Sequence, residues 1–205
     1  MIAIIDYGVG NLFSLKSSFA AIGADTVVTG DPSIIRSAEK LVLPGVGAFG
    51  DAAALLRRNE LDKLIREEAS TGKSLLGICL GMQLLFDYSL EYGQHEGLGL
   101  IPGSVRPIGD YIPQGYKIPH IGWNALRFPA GKPVSPLFRH IREVDCVYFV
   151  HSFCGAECQE SVIASAEYGA GLTAAVAHEN VYGVQFHPEK SGDVGLNILR
   201  AFCAL

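Results

Sequence analysis

Ten residues, Ser74-Leu-Leu-Gly-Ile-Cys-Leu-Gly-Met-Gln83, limit what the rest of the chain can become. Residues 74–78 have the bulk and length of a buried strand, and Leu80–Phe86 carries on as a helix. Cys79 stands at the junction. Gly77 lies two residues before it and Gly81 two after, and a sharp strand-to-helix turn needs both bare because side chains there would collide. Such a turn belongs to an α/β sheet and lifts one side chain to the carboxyl edge of the strands, where ligand crevices form. It also sets the sulfur at a helix N-terminus, whose partial positive charge favours thiolate. The Leu80 N–H is left facing any oxyanion formed beside the sulfur.

The preceding segments fit that sheet. Ile2–Ile5, Thr26–Val28 and Leu41–Leu43 are short apolar strands, and helical stripes stand between them. Leu12, Leu15, Phe19 and Ile22 mark one stripe, which stops at Gly23. Asp31-Pro32 opens another helix as cap and first residue. A long helix is expected from about Asp51 to Ser70. Strands alternating with helices predict a parallel sheet covered on both faces.

From about His95 the pattern changes to strands with turns between them: Val105–Ile108, Ile121–Phe128, Cys146–Phe153, Val162–Tyr168, Leu172–His178 and Val181–Phe186. A last helix covers roughly Asp193–Cys203. The expected fold is one α/β domain over residues 1–205, three-layered and doubly wound, with a mostly parallel central sheet and an antiparallel extension from the C-terminal half.

Composition narrows the function classes. With 16 basic and 21 acidic residues the chain has a formal charge of −5 and no basic clusters, which argues against nucleic-acid or anionic-membrane binding. Met-Ile-Ala-Ile-Ile-Asp lacks the basic start of a signal peptide, and no apolar run has the length of a membrane span. Five cysteines is an odd number for a chain able to bury its own core. No disulfide framework is expected, and the reducing cytoplasm is the expected compartment.

Gly45-Val-Gly-Ala-Phe-Gly50 matches a dinucleotide fingerprint but follows the third strand. The next strand ends in Cys79, with no acid to hold a ribose. No cofactor is expected. The free N–H groups of that loop suit a smaller anion. His151, Cys154 and Cys158 are too few for a zinc site, with the two cysteines placed in an exposed turn, so no metal is expected either. Cys146 and Cys203 read as structural residues within apolar patterns.

A nucleophilic cysteine needs a base, and His187 is the best of six histidines. His95 and His140 fall in polar segments, and His178 falls in the turn before the last strand. Val181–Phe186 is a strand halted by Pro188, and residues two apart in extended chain face the same way. Glu189 can therefore accept from one nitrogen of His187 while the other faces the sulfur, the logic of a thiol acyl-transfer triad.

With Gly77-Ile-Cys-Leu-Gly-Met-Gln83 and Phe186-His-Pro-Glu-Lys-Ser191 in place, supported by Pro44-Gly-Val-Gly47, the chain resembles the class I (triad) glutamine amidotransferases over essentially its whole length. Asp6-Tyr-Gly-Val-Gly-Asn-Leu12, Pro119-His-Ile-Gly-Trp-Asn124 and Tyr148-Phe-Val-His-Ser-Phe153 are similar, within that superfamily, to the glutaminase subunits of imidazole glycerol phosphate synthases. The resemblance implies that Cys79 attacks L-glutamine, that His187 moves the protons and that Glu189 orients His187. The Leu80 amide and the loop of Gly45, Val46 and Gly47 would hold the oxyanion. Gln83, Ser152 and Phe153 would contact the glutamine backbone, with Phe153 standing where the family commonly has tyrosine. The loop is expected to present its amide fully only when a partner is loaded.

The implied partner is a (β/α)8-barrel cyclase that receives the ammonia, with Tyr7, Asn11, Trp123 and Lys190 at the interface. On residues alone, Trp123 reads as a core indole and Lys190 as a solvated lysine. The alternatives are a free-standing thiol hydrolase, an inactive binding module that keeps the elbow for folding, and the glutaminase of another synthase, such as the pyridoxal phosphate or anthranilate type.

Overall fold

The structure, a computed structural model, describes residues 1–205. Its strands β1 (Ile2–Ile5), β2 (Thr26–Thr29), β3 (Lys40–Leu43) and β4 (Ser74–Ile78) are parallel. They are connected through α1 (Leu12–Ala21), α2 (Pro32–Ser37), and the pair α3 (Phe49–Arg58) and α4 (Leu61–Ser70). Alternate residues of each strand point to opposite faces. Ala3, Ile5, Leu41, Leu43 and Leu75 pack with α2, α3 and α4 in one core. Ile2, Ile4, Val42, Leu76 and Ile78 share a second core with α1 and the final helix. Covering both faces explains why these strands are apolar throughout.

After α5 (Leu80–Gln83) the chain forms β5 (Phe86–Ser89), β6 (His95–Glu96), β7 (Ile101–Pro107), β8 (His120–Arg127), β9 (Cys146–His151), β10 (Phe153–Ala156), β11 (Val162–Glu167), β12 (Gly171–His178) and β13 (Val181–Val184), then α6 (Gly192–Cys203). The main sheet has nine strands in the order β2-β1-β3-β4-β13-β12-β11-β8-β9. Strand β13 returns to lie parallel beside β4, and β12, β11, β8 and β9 extend the sheet antiparallel. The parallel sheet with its antiparallel extension is the expected architecture. No helix is long and apolar enough to cross a membrane.

The local differences have physical causes. The long helix is two helices, broken at Asn59–Glu60, where Glu60 takes a left-handed φ of 56°. Leu56, Leu61, Leu64 and Ile65 enter the same core from both pieces, so the apolar pattern runs through a break that no glycine or proline marks. The helix after Cys79 ends at Gln83, and Phe86 begins a strand. That strand belongs to a separate four-stranded sheet, β10-β7-β5-β6. The expected strand at Val105 starts at Ile101, and Ile108 opens a 3-10 turn. Cys146–Phe153 is likewise two strands in two sheets, divided at Ser152. Cys146 is exposed, whereas Cys154 and Cys158 are buried rather than in an open turn.

Candidate active site

The elbow at Cys79 is as tight as its two glycines require. Cys79 has φ 55° and ψ −111°, a conformation L-residues rarely adopt. A Cβ on Gly81 would stand 1.8 Å from the Leu43 carbonyl oxygen, and one on Gly77 would stand 2.6 Å from the Gly81 oxygen. The strand can therefore reverse directly into α5, whose first residue is Leu80. The first N–H groups of a helix have no acceptor within it, so the Leu80 N–H is free for an anion at the sulfur.

Strand pairing brings the base to the sulfur. The registers of β13 and β4 match Val184 with Ile78, and the Cys79 N–H donates to the Val184 carbonyl at 2.8 Å. Beyond Val184 the chain is pinned again. The His187 N–H donates to the Tyr148 carbonyl at 3.0 Å, while Ser191 Oγ donates to the His187 carbonyl at 2.7 Å and accepts from the Tyr148 N–H at 3.0 Å. His187 Nδ1 meets Glu189 Oε1 at 2.8 Å, with the two side chains only 4% and 3% exposed. The imidazole lines the same cleft as the Cys79 sulfur. Burial, the largest single influence, pulls His187 down, but the Cys79 sulfur and the Glu189 carboxylate beside it outweigh that and push the imidazole up to about 9. At neutral pH His187 holds a proton against the sulfur.

Cys79 and His187 open onto a cleft of about 340 Å³. Val46, Gly47, Leu80, Gln83, Ser152 and Phe153 line it. Gly45 does not. It is packed under the loop, where a Cβ would come within 2.8 Å of the Tyr7 hydroxyl and 2.9 Å of the Gly81 nitrogen. Gly50, the last glycine of the fingerprint, makes room for the ring of His95. Gly45 and Gly50 thus serve close packing, one against the elbow and one against His95, while Gly47 has a φ of +95° and open space around it.

Four expected interface residues divide into two pairs. Trp123 is 55% exposed, which corrects its reading as a core indole. Its ring meets Tyr148 edge-on at 5.9 Å, and Lys190 Nζ lies 5.7 Å over the same Tyr148 ring, so the three form a row at the cleft rim. Tyr7 is only 2% exposed, with its hydroxyl donating to the Pro44 carbonyl at 2.9 Å. Burial, with the nearby Cys79 charge, raises that hydroxyl's pKa, so it stays a donor. Tyr7 therefore braces the loop from inside rather than presenting a surface. Asn11 is half-buried beside a small void that it shares with Gly45, His187 and Glu189. Glu189 Oε2 is buried without a hydrogen-bond partner.

Two residues around Cys79, one lining the cleft and one buried behind it, escaped sequence reasoning. Glu91 is buried, accepts from the Phe49 N–H at the start of α3 at 2.6 Å, and lines the cleft. Nothing in its local sequence points there, because the loop before β6 brings it in. Gln185 had a readable signal, since it precedes His187 by the same two-residue step that separates His187 from Glu189. Its Nε2 donates to Cys79 Sγ at 3.7 Å. Of the other cysteines, burial pushes the Cys154 thiol up to about 12 and raises Cys158 as well, which leaves both unreactive. No group of three or more His, Cys, Asp or Glu side chains is arranged to hold a metal ion.

A cysteine on a strained elbow, a buried histidine in the same cleft and a carboxylate behind the histidine, all at the carboxyl edge of a doubly wound sheet, are the arrangement that thiol acyl-transfer chemistry requires. Residues 3–204 match the model of the glutamine amidotransferase class-I family. The chain is 48% identical over 204 residues to imidazole glycerol phosphate synthase subunit HisH of Sulfurimonas denitrificans, covering 98% of this chain and 97% of that protein. It is 45% identical to subunit HisH of Oceanobacillus iheyensis, with 98% of each covered. In fold it resembles a crystal structure of a glutamine amidotransferase (TM-score 0.75, 18% identity, 99% of this chain and 100% of that one). It also resembles a chain of PurLQS from Thermotoga maritima (TM-score 0.74, 19% identity, 99% and 97% covered). The chain belongs to the class-I glutamine amidotransferases and, within them, to the family of imidazole glycerol phosphate synthase subunit HisH.

Proposed function

We propose that this chain is a glutaminase subunit that hydrolyses L-glutamine to glutamate and ammonia and passes the ammonia to a (β/α)8-barrel cyclase of histidine biosynthesis. The cyclase makes imidazole glycerol phosphate and the carboxamide nucleotide used in purine synthesis. The observation that carries the reading is the His187 imidazole, held by the Glu189 carboxylate at 2.8 Å and lining one cleft with the Cys79 sulfur.

The chemistry follows from that geometry. The Cys79 sulfur pair forms a bond to the carboxamide carbon, and the carbonyl π pair moves to oxygen, facing the Leu80 N–H and the Val46–Gly47 loop. On collapse the C–N bond breaks, and the nitrogen leaves as ammonia with the proton of His187. Neutral His187 then takes a proton from water, whose oxygen attacks the thioester. The second collapse releases glutamate and returns the proton and electron pair to the histidine–sulfur couple. Glu189 steadies the imidazolium at each turn. The carboxylate of Glu91 at the cleft wall suits the α-ammonium of glutamine, while the Ser152–Phe153 backbone suits the rest of its main-chain end.

Free ammonia in water near neutral pH is mostly protonated and no longer nucleophilic, so the product favours a docked acceptor. The exposed Trp123 and the Lys190–Tyr148 stack beside the cleft support docking there. That rim disfavours a free-standing hydrolase. Gly47, with φ +95° and open space around it, gives the oxyanion loop the freedom to shift when the loaded partner binds. Five free cysteines fit a reducing cytoplasm.

The test is glutamine-dependent turnover by the complex with its cyclase, native against Cys79→Ala. Glutamate release should disappear in the variant while turnover on added ammonia persists. Retained glutamine use would exclude Cys79, and equal glutaminase rates with and without the loaded cyclase would exclude the partner-gated loop.

A further inference from the structure

We infer that Gln185 is a catalytic residue whose side-chain amide donates a hydrogen bond to the Cys79 sulfur, and that Gln83 is the positioning residue that fixes which end of that amide faces it. The inference rests on the reading of Cys79 as nucleophile and adds a second donor to the sulfur, opposite in character to the mobile proton of His187.

An amide can turn either its oxygen or its NH2 toward a neighbour, and here the surroundings decide. The Phe153 carbonyl can only accept, and Gln83 Nε2 donates to it at 3.2 Å. The same Nε2 donates its other proton to Gln185 Oε1 at 3.0 Å. With its oxygen held there, Gln185 must present Nε2 to the sulfur, 3.7 Å away, an ordinary length for a donor on a large sulfur atom. The carbonyl thus sets Gln83, Gln83 sets Gln185, and Gln185 faces Cys79. Both flips that would reverse the last link put like ends of two dipoles together in a buried space, where an unmatched polar group is costly. Gln185 is 0% exposed, so no water competes for the bond. Both protons of Gln83 are spent inside the protein, so its Oε1 is what remains for the substrate.

Negative charge rests on the sulfur twice in a cycle, before attack and again as the thiolate leaves the second tetrahedral intermediate. A fixed N–H at that atom lowers the energy of both states without transferring a proton, which His187 must do. Gln185 accordingly stabilises the negative sulfur before attack and eases its departure from the thioester.

The experiment follows Cys79 in the glutaminase–cyclase complex by iodoacetamide labelling, read by peptide mass spectrometry with exposed Cys146 as internal reference. Gln185→Met keeps the length and removes both ends of the bond. It should slow Cys79 labelling at pH 7 about tenfold, which corresponds to about 1.4 kcal/mol. It should lower kcat for glutamine by a similar factor and leave KM within about twofold, as expected for a group that acts on the reacting atom. Gln185→Glu, nearly isosteric, turns an oxygen to the sulfur and should label more slowly still; it decides the matter if the methionine variant does not fold. Native labelling and kcat in either folded variant, or a change confined to KM or to thermal midpoint, would overturn the inference. Cys79→Ala in the same assay keeps the two claims apart: activity in that variant rejects the nucleophile, whereas its inactivity beside an unaffected Gln185→Met rejects only Gln185.

Discussion

The main-chain N–H of Cys79 donates to the carbonyl of Val184 at 2.8 Å, the last rung of the ladder between β4 and β13. That bond ties the elbow to the strand that carries the base. Beyond it the two chains separate, one into α5 and the other toward His187, and the cleft opens in the gap. The cleft therefore lies at the point where two neighbouring parallel strands stop pairing, which is where open α/β sheets form crevices.

The histidine–carboxylate contact has a pH signature. His187 is raised from 6.5 to about 9, so it holds its proton through neutral pH and loses it as pH rises through about 9. Glutaminase kcat/KM should fall along that upper limb. Glu189→Gln removes one of the influences that raise His187, and the limb should move toward lower pH in a rate profile of glutamate release. For folding the sign is the same: the stabilisation is complete below 6.5 and declines up to about 9, and urea titrations across that window should show a shallower decline in Glu189→Gln.

The elbow glycines tolerate no carbon. In Gly81→Ala the new Cβ would meet the Leu43 carbonyl at 1.8 Å, and main chain on both sides must shift. The cost should be about 3 kcal/mol in urea unfolding. Gly171→Ala, with nothing within 4 Å of the added carbon, is the matched control. It should change stability by less than about 0.5 kcal/mol.

Tyr7 and Pro44 join β1 to the oxyanion loop through one buried hydrogen bond of 2.9 Å. Tyr7→Phe leaves the carbonyl without its donor and should destabilise the chain by about 1–2 kcal/mol. Thermal unfolding of the isolated chain measures it.

Trp123 is 55% exposed and meets Tyr148 edge-on. Trp123→Ala should leave the unfolding midpoint of the isolated chain unchanged, while affinity for the cyclase falls by about thirtyfold, the behaviour of an aromatic anchor at an interface. Titration calorimetry of the two subunits separates the two effects.

What the sequence showed, and what it could not, follows from the range of the forces involved. Two glycines around Cys79 are a local steric demand, and the step from His187 to Glu189 is the local geometry of extended chain, so both were readable in a few residues. The break at Glu60 was not, because two helices burying one face carry the same apolar pattern as one. Trp123 and Tyr7 exchanged their expected surroundings for a related reason. Side-chain bulk does not say which face of a strand or turn the remaining layers will cover.

The amino-acid order by itself determined the elbow, the alternation of strands and helices, and the pairing of histidine with carboxylate, because each depends on neighbours within a few residues. Only the tertiary structure decided that β13 returns beside β4, that Glu91 reaches the cleft and Gln185 the Cys79 sulfur, and that Gly45 and Tyr7 lie behind it. These are contacts between segments far apart in the chain, selected by how all the layers pack at once, and no local pattern encodes them.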